Sequence, residues 1–141
     1  AKEKIEFFLE KFPNNDYSTD LKFKKDLIIN QLAAKEMYVG RYYVSVKKWI
    51  PAINRFKTVV EQYDKTIFVE EALHRLVEIY YHIGAEGEAK SYAAILGYNF
   101  NSSDWFKRSY KVINKDYKIK KKSSSNDENL SFLKRIIKKI N

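Results

Sequence analysis

The 141-residue sequence has no cysteine, only four glycines and only two prolines. Without thiols it can form neither a disulfide framework nor a cysteine-ligated zinc site. That absence does not fix a redox compartment, because a cysteine-free chain is stable in either. No apolar run approaches the roughly 18 residues a membrane-spanning helix needs. A Gly-rich phosphate loop, a nucleophile elbow and a His-Glu-x-x-His pair are also missing, so the sequence offers no catalytic residues, no metal ligands and no cofactor site. The expectation is a protein that is not an enzyme. The opening residues, Ala1-Lys2-Glu3-Lys4-Ile5-Glu6, carry neither an initiator Met nor an apolar signal region and read as the inside of an amphipathic helix, so a piece of a longer chain is expected. What remains, 45% apolar and 32% charged, suits one globular domain able to bury its own core.

The net charge of +9 is concentrated at one end. Residues 1–110 carry 17 Lys and Arg against 15 Asp and Glu, whereas residues 111–141 carry 10 against 3. The body is therefore nearly neutral, and a nucleic-acid surface on it loses its electrostatic basis. No nucleic-acid partner is expected; binding through the tail is a distant third reading. Residues 117–129, centred on Lys120-Lys121-Lys122-Ser123-Ser124-Ser125, have too little apolar content to repay ordering and read as a disordered linker. In 130–141, Leu130, Leu133, Ile137 and Ile140 recur at spacings of three and four, with Lys134, Arg135, Lys138 and Lys139 between them. This predicts a short basic amphipathic helix. It is either a frayed C-terminal segment or a helix that docks on its own fold or a neighbouring chain, or it contacts a membrane surface or acidic partner.

Residues 1–116 contain a repeat. Gly40, Tyr43, Ala52, Phe56 and Val59 align with Val77, Tyr80, Ala89, Ala93 and Leu96, each pair 37 positions apart. Two antiparallel helices joined by a tight turn pack closely only where a small side chain lets the backbones approach, the role given to Ala52 and Ala89. The spacing resembles the tetratricopeptide repeat, with Gly40-x-x-Tyr43, Ala52-x-x-x-Phe56 and a Tyr63-Asp64 end in which Asp64 stands where that family usually has Pro. The fold class expected is all-α, a tetratricopeptide-type α-solenoid of antiparallel helix pairs. Residues 1–13 form an incomplete first repeat, with Ala1, Ile5, Phe8 and Phe12-Pro13 in second-helix positions. Pro13-Asn14-Asn15-Asp16 breaks that helix. Thr19 or Asp20 caps a long one to about residue 46, Thr66 caps another ending at Gly84, Gly97 stops the helix from Glu86, and Ser102 or Ser103 caps a last one. The repeat-packing residues are Gly40, Tyr43, Ala52, Phe56, Tyr80 and Ala89. Tyr38, Tyr42, Tyr43, Tyr80, Tyr81 and Tyr92 read chiefly as repeat core, and otherwise as a partner surface. His74, Glu78 and His82 are spread too far along a helix to hold one ion and read as an exposed, salt-linked face.

Three longer runs are more specific: Tyr38-Val39-Gly40-Arg41-Tyr42-Tyr43, Ala52-Ile53-Asn54-Arg55-Phe56, and Glu71-Ala72-Leu73-x-Arg75-Leu76-Val77-Glu78-x-Tyr80. Together with Gln31-Leu32-Ala33-Ala34-Lys35-Glu36 and Glu88-Ala89-Lys90-Ser91-Tyr92-Ala93, they resemble the C-terminal half of the BamD (ComL) family of outer-membrane protein assembly factors, in its alphaproteobacterial form. The resemblance covers roughly residues 1–113. It implies a non-catalytic scaffold at the periplasmic face of the outer membrane, with a lipid anchor on an N-terminal part not included here. The implied partners are the last POTRA domain of BamA, accessory Bam lipoproteins and unfolded outer-membrane proteins.

The resemblance also places Arg55 at the position that pairs with a carboxylate on that POTRA domain, a task suited to a planar guanidinium fork. A solvated residue on the outer helix face is the plain alternative. Arg41 and Lys57 are weaker candidates on the same surface, and Trp49 is either a turn plug or an exposed anchor. The competing function is a cytoplasmic tetratricopeptide adapter gripping a peptide in its concave groove. Its carboxylate clamp is poorly supported, because Arg41 and Arg75 have no matched Asn.

Overall fold

The computed structural model describes residues 1–114, and the readings made for 117–129 and 130–141 lie outside the described residues. Six helices follow one another: α1 (Lys2–Lys11), α2 (Ser18–Ser45), α3 (Trp49–Gln62), α4 (Val69–His82), α5 (Glu86–Asn99) and α6 (Asp104–Ile113). No strand occurs among the described residues. The fold is an all-α stack of antiparallel pairs, α2 with α3 and α4 with α5, with α1 against α2 at one end and α6 across α4 and α5 at the other.

The 37-residue offset holds in the backbone itself. α3 and α5 begin and end at equivalent positions, and so do the ends of α2 and α4. Each pair turns through one left-handed residue, Lys47 (φ 57°) and Gly84 (φ 83°), again 37 apart. The following amides, Lys48 and Ala85, donate to the carbonyls of Tyr43 and Tyr80. Gly84 takes this conformation without steric cost, whereas Lys47 must bear the penalty of a Cβ there.

Three serine or threonine residues explain where the expected caps differ from the observed ones. α2 begins at Ser18, so neither Thr19 nor Asp20 is its cap; the Ser18 hydroxyl donates to the Phe12 carbonyl at the end of α1, at 2.7 Å. Thr66 likewise does not cap α4, which starts at Val69; its hydroxyl donates to the Tyr63 carbonyl at the end of α3, also at 2.7 Å. A hydroxyl between two helices can satisfy the orphan carbonyls behind it as readily as the orphan amides ahead. Only Ser103 acts as the sequence suggests, accepting from the Trp105 amide to start α6 while donating to the Glu70 carboxylate of α4. Gly97 does not end α5, which runs on to Asn99; it lies where a Cβ would come within 2.6 Å of the Phe106 ring. Its small size serves the approach of α6.

The main core joins Met37, Ala52, Ile53, Phe56 and Val59 to Ala72, Leu76 and Ile79, thereby linking both pairs. A smaller cluster of Val69, Leu73 and Leu96 is sealed by Trp105, Phe106 and Phe100. Phe56, fully buried, faces back to Gly40 as well as toward the next pair: a Cβ at residue 40 would lie 2.7 Å from its ring. In the second repeat the sizes are exchanged, with Val77 at the Gly40 position and Ala93 at the Phe56 position, so the volume shared between paired helices is kept.

Candidate partner-binding surface

The flank where α2 meets α3 carries Arg55. Its Nη1 donates to Glu36 Oε2 at 3.0 Å, an ion pair whose arginine side chain is 45% exposed while its carboxylate is largely covered. The hydrogen bond and charge of Glu36 raise the Arg55 pKa, with a smaller contribution from Tyr43. Glu36 and, more weakly, Tyr43 thus engage part of the guanidinium, and the remainder of its five N–H donors can meet a further acceptor. Beside it runs an open groove of about 250 Å³ lined by Tyr43, Ile50, Pro51, Asn54 and Thr58. Ile50, 72% exposed, stands on its rim. An oriented cation next to an exposed aliphatic side chain suits a protein surface that presents a carboxylate within an apolar border.

Arg41 is used inside the fold. Its Nε and Nη2 grip both oxygens of Glu71 at 2.9 and 2.6 Å, joining α2 to α4. Arg75 approaches the same carboxylate, with Nε 3.5 Å from Oε1, and bonds Glu78 through Nη1 at 2.8 Å. Burial pushes the Glu71 carboxyl up, but Arg41 and Arg75 outweigh it and hold it below the ordinary carboxylate range. Glu78 is lowered in the same way: burial raises it, while His74 and Arg75 more than offset that.

The other candidates do not gather around Arg55. Lys57 is two positions further along α3, which turns it about 200° away. There it faces the hydroxyls of Tyr92 and Tyr80, which push its ammonium pKa up. Trp49 is half-buried against the main core, its ring 4.7 Å from that of His82, and so plugs the turn between α2 and α3. The repeat-packing residues are placed as follows: Ala52 and Ala89 are fully buried between paired helices, and Tyr43 and Tyr80 pack at the core's edge. Tyr80 stacks on Tyr92 with centroids 5.5 Å apart.

His74 departs most from its expected setting. It is 3% exposed, because α6 covers it: Nδ1 lies 2.8 Å from the Ser109 hydroxyl, Nε2 3.3 Å from Glu78, and Trp105 lies against its ring. Of the face expected to be exposed, His74 is therefore buried, whereas His82 is exposed and Glu78 is partly exposed and salt-linked. Helical spacing shows which residues share a face but not which later helix lies over it. The same limit hid the Arg41–Glu71 and Arg55–Glu36 pairs, whose members are 30 and 19 residues apart. Of the tyrosines expected in the core, Tyr38 and Tyr42 are 74% and 59% exposed and lie one turn apart on α2. The sequence signal for this was available: Ala33, Met37 and Gly40 mark the buried stripe of α2, and both tyrosines fall away from it.

Comparison with known proteins adds an independent line. The family model YfiO, described as an outer membrane lipoprotein, matches residues 1–96. The outer membrane protein assembly factor BamD of Rickettsia prowazekii is 42% identical over 113 residues, 80% of this chain and 45% of that protein. BamD of Caulobacter vibrioides is 43% identical over 106 residues, 75% of this chain and 35% of its own length. BamD of Xylella fastidiosa (strain Temecula1) is 31% identical over 99 residues, 70% of this chain and 34% of that protein. The chain therefore spans less than half the length of these relatives.

Proposed function

The chain belongs to the YfiO family of outer membrane lipoproteins, and on that premise we propose that it is the C-terminal scaffold portion of a BamD-type assembly factor, working at the periplasmic face of the outer membrane. It binds the last POTRA domain of BamA and so supports folding and insertion of outer-membrane β-barrel proteins. The task is positional and involves no covalent chemistry. Helix pairs tied by the Arg41–Glu71 bridge and a shared core present a surface that needs little ordering on binding. A lipid anchor on a preceding segment and contacts with accessory lipoproteins and unfolded barrel proteins complete the picture.

The observation that supports this reading is Arg55, which the resemblance puts at the family's POTRA-contact position and which is exposed beside the Ile50 groove with part of its fork open to a second carboxylate. The peptide-adapter alternative has less support, since Arg41 and Arg75, the cations a clamp would use, both bind Glu71. The test is copurification of BamA with the full-length protein from detergent-solubilised envelopes. The native protein should retain BamA and an Arg55→Glu variant of equal abundance should lose most of it. Equal recovery by both would remove Arg55 from the interface, and no recovery by either would remove the scaffold reading.

A further inference from the structure

The stack ends on an incomplete helix pair. α6 takes the place of a first helix: it follows α5 as α4 follows α3, and it lies across α4 and α5. No described helix occupies the second-helix place beside it. In the preceding pair the corresponding place is filled: Lys57 of α3 faces Tyr92 of α5, and Val60 and Tyr92 pack against the same cluster of Val69, Leu73 and Leu96. The residues 37 positions later on α5 are Ala94 and Gly97. They line an open apolar groove of about 350 Å³ together with Ala93, Phe106, Tyr110 and Ile113.

We propose that this groove between α5 and α6 receives the chain's own segment 130–141, which docks as a helix and completes the third pair. Three observations select that occupant. The described chain reaches Asn114 on the groove's own wall, so the segment starts from the right place. The sixteen residues from there to Leu130 can extend to about 50 Å, so the tether imposes no geometric limit and holds the segment at high effective concentration. Leu130, Leu133, Ile137 and Ile140 make one apolar stripe about 15 Å long as a helix, enough to cover the two turns of α5 and α6 that line the groove. Small residues on α5 leave room for it, and Lys134, Arg135, Lys138 and Lys139 remain on the solvent side. A twelve-residue helix is marginal alone in water, so its order depends on this docking.

The absence of cysteine makes the test clean. Ala94→Cys is combined with Ile137→Cys in the full chain, and a control combines Ile137→Cys with Ile67→Cys, which is exposed in the α3–α4 connection. Both are oxidised at low micromolar concentration after circular dichroism has shown that each is helical, and the products are identified by non-reducing gel and intact mass. The proposal predicts an intramolecular disulfide forming at least tenfold faster in the groove pair, slowed to the control rate by Leu133→Asp. Equal rates in the two proteins, or no bond, would overturn it. A bond found only in dimers would overturn it in favour of a second copy. A groove bond lost on adding phosphatidylglycerol vesicles, but not phosphatidylcholine vesicles, would equally overturn it as the resting state at a membrane. None of these results bears on BamA binding, so the scaffold reading stands or falls separately.

Discussion

Gly40→Ala adds one carbon at the tightest point between α2 and α3. That carbon would lie 2.7, 2.8 and 3.1 Å from three atoms of the Phe56 ring, against ordinary contact near 3.7 Å, so the ring must yield by about 1 Å. Phe56 has no exposed surface and lies in one buried cluster with Met37, Ala52, Val59 and Ile79, so its ring has little room to shift. Overpacking of this kind costs about 1–3 kcal/mol, and replacing glycine by alanine within a helix returns about 1 kcal/mol. The net expectation is a destabilisation of about 1 kcal/mol, or a fall in Tm of about 3–6 °C. Gly97→Ala is the matched comparison: its Cβ would meet Phe106 at 2.6 Å, but that ring is only half-buried where Phe56 has no exposed surface, so the loss should be smaller than for Gly40→Ala. The assay is urea unfolding followed by far-ultraviolet circular dichroism on both variants, with Phe56→Leu in the Gly40→Ala background as a rescue. A Gly40→Ala protein as stable as the parent, or a loss equal to that of Gly97→Ala, would refute the packing argument.

Other expected outcomes follow from the polar contacts. Glu71→Gln removes the carboxylate that Arg41 and Arg75 share and should cost about 1 kcal/mol at neutral pH, discounted for the exposed Arg41 side. Because Glu71 is lowered in the folded protein, its contribution is present above the ordinary carboxylate range and is lost as pH falls through it; the gap between variant and parent should therefore close in acid unfolding curves. Ser109→Ala leaves the buried His74 Nδ1 without its partner and should destabilise by about 1–2 kcal/mol, with Trp105 fluorescence reporting the loosening of α6. Glu36→Ala breaks an ion pair whose carboxylate is largely covered but whose arginine is exposed, so thermal stability should fall by no more than about 1 kcal/mol while Arg55 is released for other acceptors.

Much of this fold can be read from spacing alone. A period of 37 positions fixes the helix pairs, their turns and the small buried residues, because each repeat buries the same face against its neighbours. What spacing cannot supply is the identity of residues brought together across repeats. Glu36 and Glu71 look like ordinary surface carboxylates on their own helices, yet they hold Arg55 and Arg41. His74 looks solvent-facing until α6 is laid across it. Hydroxyls near helix ends are ambiguous for a different reason, since Ser18 and Thr66 can serve either the helix behind or the helix ahead. Arg55 as a candidate contact comes from family resemblance, and the structure contributes its exposure and its ion pair with Glu36.

The account rests most directly on whether this chain binds the last POTRA domain of its own organism's BamA. Calorimetric titration of that isolated domain should give micromolar or tighter binding, weakened by Arg55→Glu by more than about 2 kcal/mol, or roughly thirtyfold, and preserved by Glu36→Ala. A folded, helical sample that shows no binding, or one whose affinity ignores the charge at residue 55, would contradict it.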